Sequence, residues 1–218
     1  MSTVKPEYGP TLSQVLAPLP RRVRVALGAA AAVVLAAALI VALRAGEEET
    51  AVIVREPVTF NLIYGPGIER GSEPGALLAL GRRRGDLFLD SFVVRELVLP
   101  LYRGAASGTL PVYAFGYIGE LRRRYAGFEL VEEGRTRINN AIGYQVVFRA
   151  RLGERTLYGR HLLLVAQEPE GLRRGVVIEL ASTPATGTPN AGATGNAGPL
   201  KTALRSFRFG EDREGGEA

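Results

Sequence analysis

Gly143-Tyr144-Gln145-Val146-Val147-Phe148-Arg149-Ala150-Arg151 runs through Leu152-Gly153-Glu154 into Arg155–Ala166. Tyr144, Val146, Phe148 and Ala150 fall on one face of the first segment, the period of two that marks a half-buried strand. A three-residue link holding one glycine is a hairpin connection, so the two segments pair antiparallel. After Glu168-Pro169-Glu170-Gly171 a third strand follows at Gly175–Ala181. Upstream, Val58–Ile63 and Leu87–Val94 also alternate. In Leu87–Val94, Phe88, Phe92 and Val94 are expected on one side, and Leu87, Leu89 and Val93 on the other. Leu77–Arg82 pairs with it across Arg83-Arg84-Gly85-Asp86, and Phe128–Val131 with Arg135–Ile138 across Glu133-Gly134.

Two segments have helical period instead. In Pro111–Ala126, Phe115, Ile118, Leu121 and Tyr125 recur at helical steps, with Thr109 as the N-cap and Gly127 as the stop. In Pro199–Phe207, Leu200, Ala203, Leu204 and Phe207 fit one face. Antiparallel strands with two packed helices define an α+β domain over residues 58–209. Within it, residues 182–198 (STPATGTPNAGATGNAG) contain no large apolar side chain. A mobile surface loop is expected there, and a functional lid is the sharper alternative.

Outward from the domain, charge and hydropathy are uneven. Residues 1–44 carry Lys5, Arg21, Arg22, Arg24 and Arg44 against Glu7, a net +4 of the chain's +5. The remainder holds 22 basic and 21 acidic groups, net +1, which is no nucleic-acid footprint. Val25–Leu43 is a run of 19 residues without a charged or hydroxyl side chain. As a helix it covers about 28 Å, close to the ~30 Å hydrocarbon core of a bilayer. A transmembrane helix over residues 23–44 is expected, with the bilayer as its partner. Leu43 stands where a signal-peptidase site at Ala45 would need a small residue, so the run reads as an uncleaved anchor.

Arg21, Arg22 and Arg24 precede the run and only Arg44 follows it. The positive-inside rule then puts residues 1–22 in the cytoplasm as a proline-rich disordered tail, and everything after the span outside. Residues 45–57 read as a juxtamembrane segment and 210–218 as a frayed tail. The expected location is the cell (inner) membrane. Gly28, Ala32 and Ala36 follow a four-residue spacing that lets helices approach. The abundance of alanine explains that spacing equally simply, and a weak homodimer is the sharper reading.

The second half of the domain resembles the PsbP-like family. The likeness rests on Asn140-Ala141-Ile142-Gly143-Tyr144-Gln145-Val146-Val147-Phe148, Gly153, Tyr158, His161 and the ending Leu204-Arg205-Ser206-Phe207. The first half departs, lacking the family's early Pro-x-x-Trp-like element. The resemblance implies hairpin strands leading to a C-terminal helix, and a non-catalytic binding or assembly role. It carries over no functional residue.

Catalytic signals are sparse. With no cysteine there is no disulfide, thiolate nucleophile or lipobox, and a single histidine cannot build a histidine-rich metal site. No metal or cofactor is expected. Gly65-Pro66-Gly67-Ile68-Glu69-Arg70-Gly71 is one residue too long for a dinucleotide loop. His161 reads as a half-buried structural histidine; with Asp90 it is the candidate pair if the domain is a carboxylate-using hydrolase. Arg82, Arg83 and Arg84 with Arg122, Arg123 and Arg124 could form an anion or partner patch, against the plainer reading of solvated faces. An apolar-ligand carrier would need a cavity between sheet and helix. The unknown partner is expected to be an extracytoplasmic protein or ligand.

Overall fold

The computed structural model describes residues 49–100, 106–139, 141–166 and 174–211, with scattered positions between 20 and 36. The chain divides into Met1–Glu47 and Glu48–Ala218. In the first unit the described positions from Arg22 to Ala36 are helical, and Val25, Val33, Val34 and Leu35 are exposed. No helix among the described residues is long and apolar enough to cross a membrane. All of the expected tail but Pro20 and the helical Arg22, most of the expected span, Gly28, Ala32 and residues 212–218 lie outside the described residues.

The second unit is α+β. Its main sheet has the order β3 (Glu69–Gly71), β4 (Ala76–Arg84), β5 (Leu87–Val98), β9 (Arg174–Ser182), β8 (Arg155–Val165), β7 (Ala141–Leu152) and β6 (Glu129–Ile138). Every neighbouring pair is antiparallel. A smaller sheet has β2 (Phe60–Tyr64) between β1 (Thr50–Val54) and β10 (Arg208–Phe209). The residues 45–57 expected as a juxtamembrane connector thus contain a strand, because Val52 finds a core to enter.

Alternation divides the core in two. Phe92, Val94, Leu162, Leu164, Val176, Ile178 and Leu180 point to one face of the main sheet. There the small sheet (Phe60, Leu62) and α2 (Leu200–Ser206, through Leu200, Ala203 and Leu204) cover them. Leu97, Val146, Phe148, Ala150, Leu157, Leu163 and Val177 point the other way, beneath α1 (Ala106–Arg124).

Several expectations change in detail. Glu133-Gly134 is no turn: β6 runs straight through it, paired along β7 with a bulge near Val131. A continuous partner strand supplied hydrogen bonds on both sides, and two short strands would have left some unmade. Phe88 does not share a face with Phe92. A register shift at Arg82/Arg83 turns it toward the α1 side. Helix α1 begins at Ala106, so Thr109 lies inside it and Pro111 falls in its second turn. The inward stripe is Leu110, Ala114, Tyr117, Ile118 and Leu121, which leaves Phe115 on the outside, 83% exposed.

Residues 182–198 contribute more to the interior than their composition promises. They form 3-10 turns at Pro184–Thr186 and Ala191–Ala193 and bury Thr183, Thr188, Ala191 and Thr194. Hydroxyl and amide groups tie the segment down locally: Thr186 Oγ1 donates to the Thr183 carbonyl (2.9 Å), and Asn190 Oδ1 accepts from the Ala193 amide (3.0 Å). Gly195, at φ 77°, lies against Leu180 and Leu204, where a Cβ would come within 2.8 Å of either side chain.

Candidate functional site

A line of polar side chains crosses the apolar contact between α1 and the sheet. Strand pairing sets His161 on β8 opposite Glu179 on β9, both facing the helix. Tyr117 comes down from α1 onto them, Arg124 closes from the helix end, and Arg95 reaches in from β5. Tyr117 Oη lies 2.7 Å from His161 Nδ1 and 3.4 Å from Glu179 Oε1. Arg124 Nη1 donates to both Glu179 oxygens at 3.1 and 3.3 Å, and Arg95 Nε is 3.4 Å from Oε2. Arg95 also pairs with Glu73 and donates from Nη1 to the Pro74 carbonyl at 2.6 Å.

His161 is 1% exposed, and its Nε2 has no hydrogen-bond partner. The rings of Phe148 and Tyr125 stand nearly perpendicular to the imidazole at 5.2 and 6.2 Å. The bonding count assigns the proton to Nδ1. Nδ1–H then donates to Tyr117 Oη, whose own proton goes to Glu179. The other tautomer strands a buried N–H donor on Nε2, a cost of about 1–3 kcal/mol.

Burial pushes the imidazole down to about 4, outweighing the opposing pull of Glu179 and helped by Arg124 and Arg95. Burial raises Tyr117 as well, reinforced by Glu179. For Glu179, burial acts upward. Beside it, His161, Arg124 and Arg95 act the other way and hold the carboxyl below its ordinary value. Near neutral pH the imidazole is uncharged, so the two arginines carry that effect there.

The pH dependence of stability follows with a definite sign. The folded imidazole protonates only near pH 4, the unfolded one at 6.5. The unfolded chain therefore binds the extra proton as pH falls between those values, and stability is lost on acidification. The contribution amounts to about 3 kcal/mol. Urea midpoints from pH 7 to 4.5 should fall in the parent, and His161→Gln should flatten that slope.

The expected pair of His161 and Asp90 does not assemble. Asp90 faces the opposite side of the sheet, fully buried, where Arg82 Nη2 and Nε hold its Oδ2 at 2.7 and 3.0 Å. The six arginines do not form one surface. Arg82 is engaged with Asp90 and Arg124 with Glu179. The helix packs on β7 and β8, while β4 lies three strands away, about 14 Å. Arg83, Arg84, Arg122 and Arg123 remain exposed. Between α1 and the sheet, Leu110, Ile118, Leu121 and Phe148 pack into one apolar cluster.

An open groove of about 400 Å³ lies on the α1 side of β4 and β5, beyond the strands that α1 covers. Its floor is Ala79, Gly81, Ser91 and Val93, small side chains brought together by the pairs Gly81↔Ser91 and Ala79↔Val93. Phe88 and Arg83 stand at one side, with Arg70, Glu69 and Glu73 along the β3 side. Arg70 and Arg83 have no ion-pair partner among the described residues. Glu73 joins the two features: it lines the groove and pairs with Arg95, which touches Glu179. Sequence reasoning missed Glu179, Arg95 and Tyr117. For Glu179 the available signal was a lone charge inside the apolar strand Val176-Val177-Ile178-Glu179-Leu180; Arg95, followed directly by Glu96, and Tyr117 carried no such signal.

No family model and no curated protein sequence matches this chain. Among solved structures it is similar to cyanobacterial PsbP (CyanoP) from Synechocystis sp. PCC 6803, with 10% identity and a TM-score of 0.50. That likeness covers 74% of this chain and 92% of CyanoP. LpqN of Mycobacterium tuberculosis gives 11% identity and a TM-score of 0.51, covering 76% of this chain and 92% of LpqN. These likenesses establish a PsbP-like fold. It extends well beyond the second half of the domain, on which the sequence resemblance rests.

Proposed function

We propose that this chain is a single-pass membrane protein whose PsbP-like domain, outside the membrane, is a non-catalytic binding or assembly module. The observation that carries this reading is the separation of reactivity from access. His161 is buried under α1, whereas the open groove beside β4 and β5 holds a floor of small side chains and no imidazole. A general base must reach the proton it removes, and this one does not. The groove is open, and on its rim the unpaired Arg70 and Arg83 outnumber the unpaired Glu69, which suits an extended, acidic segment of a partner protein.

The anchor reading draws on the 19-residue apolar run and its flanking arginines. Helical Val25, Val33, Val34 and Leu35, exposed on their own unit, are what a lipid-facing helix presents. LpqN is described as involved in cell envelope biogenesis, a setting compatible with this placement.

A photo-crosslinking amino acid at Ser91 in the full chain, expressed in its native membrane, should trap a discrete protein adduct. Arg83→Glu should reduce that adduct severalfold. Absence of an adduct at Ser91, or an adduct indifferent to Arg83→Glu, would overturn the groove as the docking site.

A further inference from the structure

The outer face of α1 has an unusual make-up for a surface helix. From Ala106 to Gly119 the helix contains no charged residue. Val112 and Phe115 project from it at 75% and 83% exposure, beside exposed Gly116. Charge appears only in the last turns, as Glu120 and then exposed Arg122 and Arg123. Phe115 and Arg122 are seven residues apart and Val112 and Arg123 eleven. At 3.6 residues per turn both intervals are nearly whole turns, so the arginines lie on the same side of the helix as the apolar pair. Two large apolar side chains held in water, continued by two cations, make the surface of a helix that lies in a membrane interface.

Charge selects what this face can meet: Arg122 and Arg123 against the single Glu120 leave a cationic end for anionic headgroups.

We infer that α1 is a second membrane contact, with Phe115 and Val112 entering the bilayer interface and Arg122 and Arg123 pairing with anionic lipid headgroups. This inference rests on the anchored reading above. The contact turns the outer side of α1 toward lipid.

The chain contains no tryptophan, so a single introduced one reports alone. The full chain carrying Phe115→Trp would be reconstituted into vesicles of phosphatidylcholine and phosphatidylglycerol in equal parts. Val131→Trp, on the exposed face of β6, serves as the reference position. The expected result is blue-shifted emission at position 115 that loses at least half its intensity to lipids brominated near the headgroup, with no such loss at 131. Omitting phosphatidylglycerol, or adding Arg122→Glu and Arg123→Glu, should weaken that quenching severalfold. Val112→Trp should repeat the pattern, and neither position touches the core.

Carbonate extraction of the same vesicles separates the possible failures. Release of the chain from the membrane would sink the anchor itself. Retention with water-like emission at 115, or with equal quenching at 115 and 131, would overturn the α1 contact alone. A blue shift at 115 without quenching would mean that a protein surface, a partner or a second copy, covers this face, and would also overturn it.

Discussion

A Gly159→Ala chain should unfold about 6–12 °C below the parent, the shift that a loss of about 3 kcal/mol gives a domain of this size. Gly159 on β8 lies directly across from Phe148 on β7, and the aromatic ring rests over the glycine. A Cβ built there would stand 2.1 Å from Phe148 Cζ and 2.5 Å from Cε1 and Cε2. The ring has nowhere to go. It is fully buried, with Tyr125, Phe128 and His161 around it at 5.0, 5.1 and 5.2 Å. The methyl group must therefore displace a packed cluster that also seats His161. Thermal unfolding of the single variants and of Gly159→Ala with Phe148→Leu gives the decisive comparison. The smaller side chain should restore part of the loss, with a coupling energy above about 1 kcal/mol. Strict additivity, or a Gly159→Ala chain as stable as the parent, would contradict this account of the packing.

Glu179→Ala is expected to cost about 2–4 kcal/mol. Removing one partner of a fully buried ion pair costs about 3–5 kcal/mol, and the figure is reduced here because the Arg124 side chain is 46% exposed and can rehydrate. Arg95 is less fortunate: its side chain is 23% exposed, and Glu73 would be its one remaining ion-pair partner, beside the Pro74 carbonyl. Tyr117 would lose its acceptor, leaving the hydroxyl and the imidazole to share one hydrogen bond. Because the folded carboxyl sits below its ordinary 4.5, its stabilisation is complete above that value and is lost as pH falls through the folded one. The difference between parent and Glu179→Ala in urea midpoint should therefore be full at pH 7 and shrink below about pH 4. A difference that grows on acidification would show that Glu179 is not held as an anion. Because Glu73 lies in the groove and is tied to Arg95, the same variant should also weaken the Ser91 adduct.

Much of the domain was legible from side-chain period alone. In β7 the alternation of Tyr144, Val146, Phe148 and Ala150 matches the buried face because one side of the sheet is apolar along its whole length. The hairpin turns after Arg84 and Leu152 were legible because glycine occupies positions of positive φ there, Gly85 at 59° and Gly153 at 61°. The Glu133-Gly134 pair looked the same in sequence. Gly134, however, stays extended inside β6, since β7 is long enough to pair beyond it. The helix face was misread at Phe115 because several rotations of α1 satisfy an apolar spacing. Only contact with β7 and β8 selects the one that buries Leu110, Ala114, Ile118 and Leu121.

The candidate site was the least legible part. That His161 shares a face with Leu157, Leu163 and Val165 follows from alternation on one strand, a local property, whereas its full burial does not. Its partners come from α1, β5 and β9, and Tyr117 and Glu179 stand 44 and 18 residues from it in the chain. No spacing rule links residues brought together by strand order and by the seat of a helix.

The sequence by itself therefore determined most of the long strands, the two helices and the apolar run at Val25–Leu43, because each follows from side chains close together in the chain, and its lack of cysteine excluded thiol chemistry. Tertiary structure decided three further things. It set Asp90 and His161 on opposite faces of one sheet, left the groove open beside α1, and turned Phe115 outward. Each depends on which strands are neighbours and where a helix comes to rest, and those choices are settled by burial summed over the whole domain.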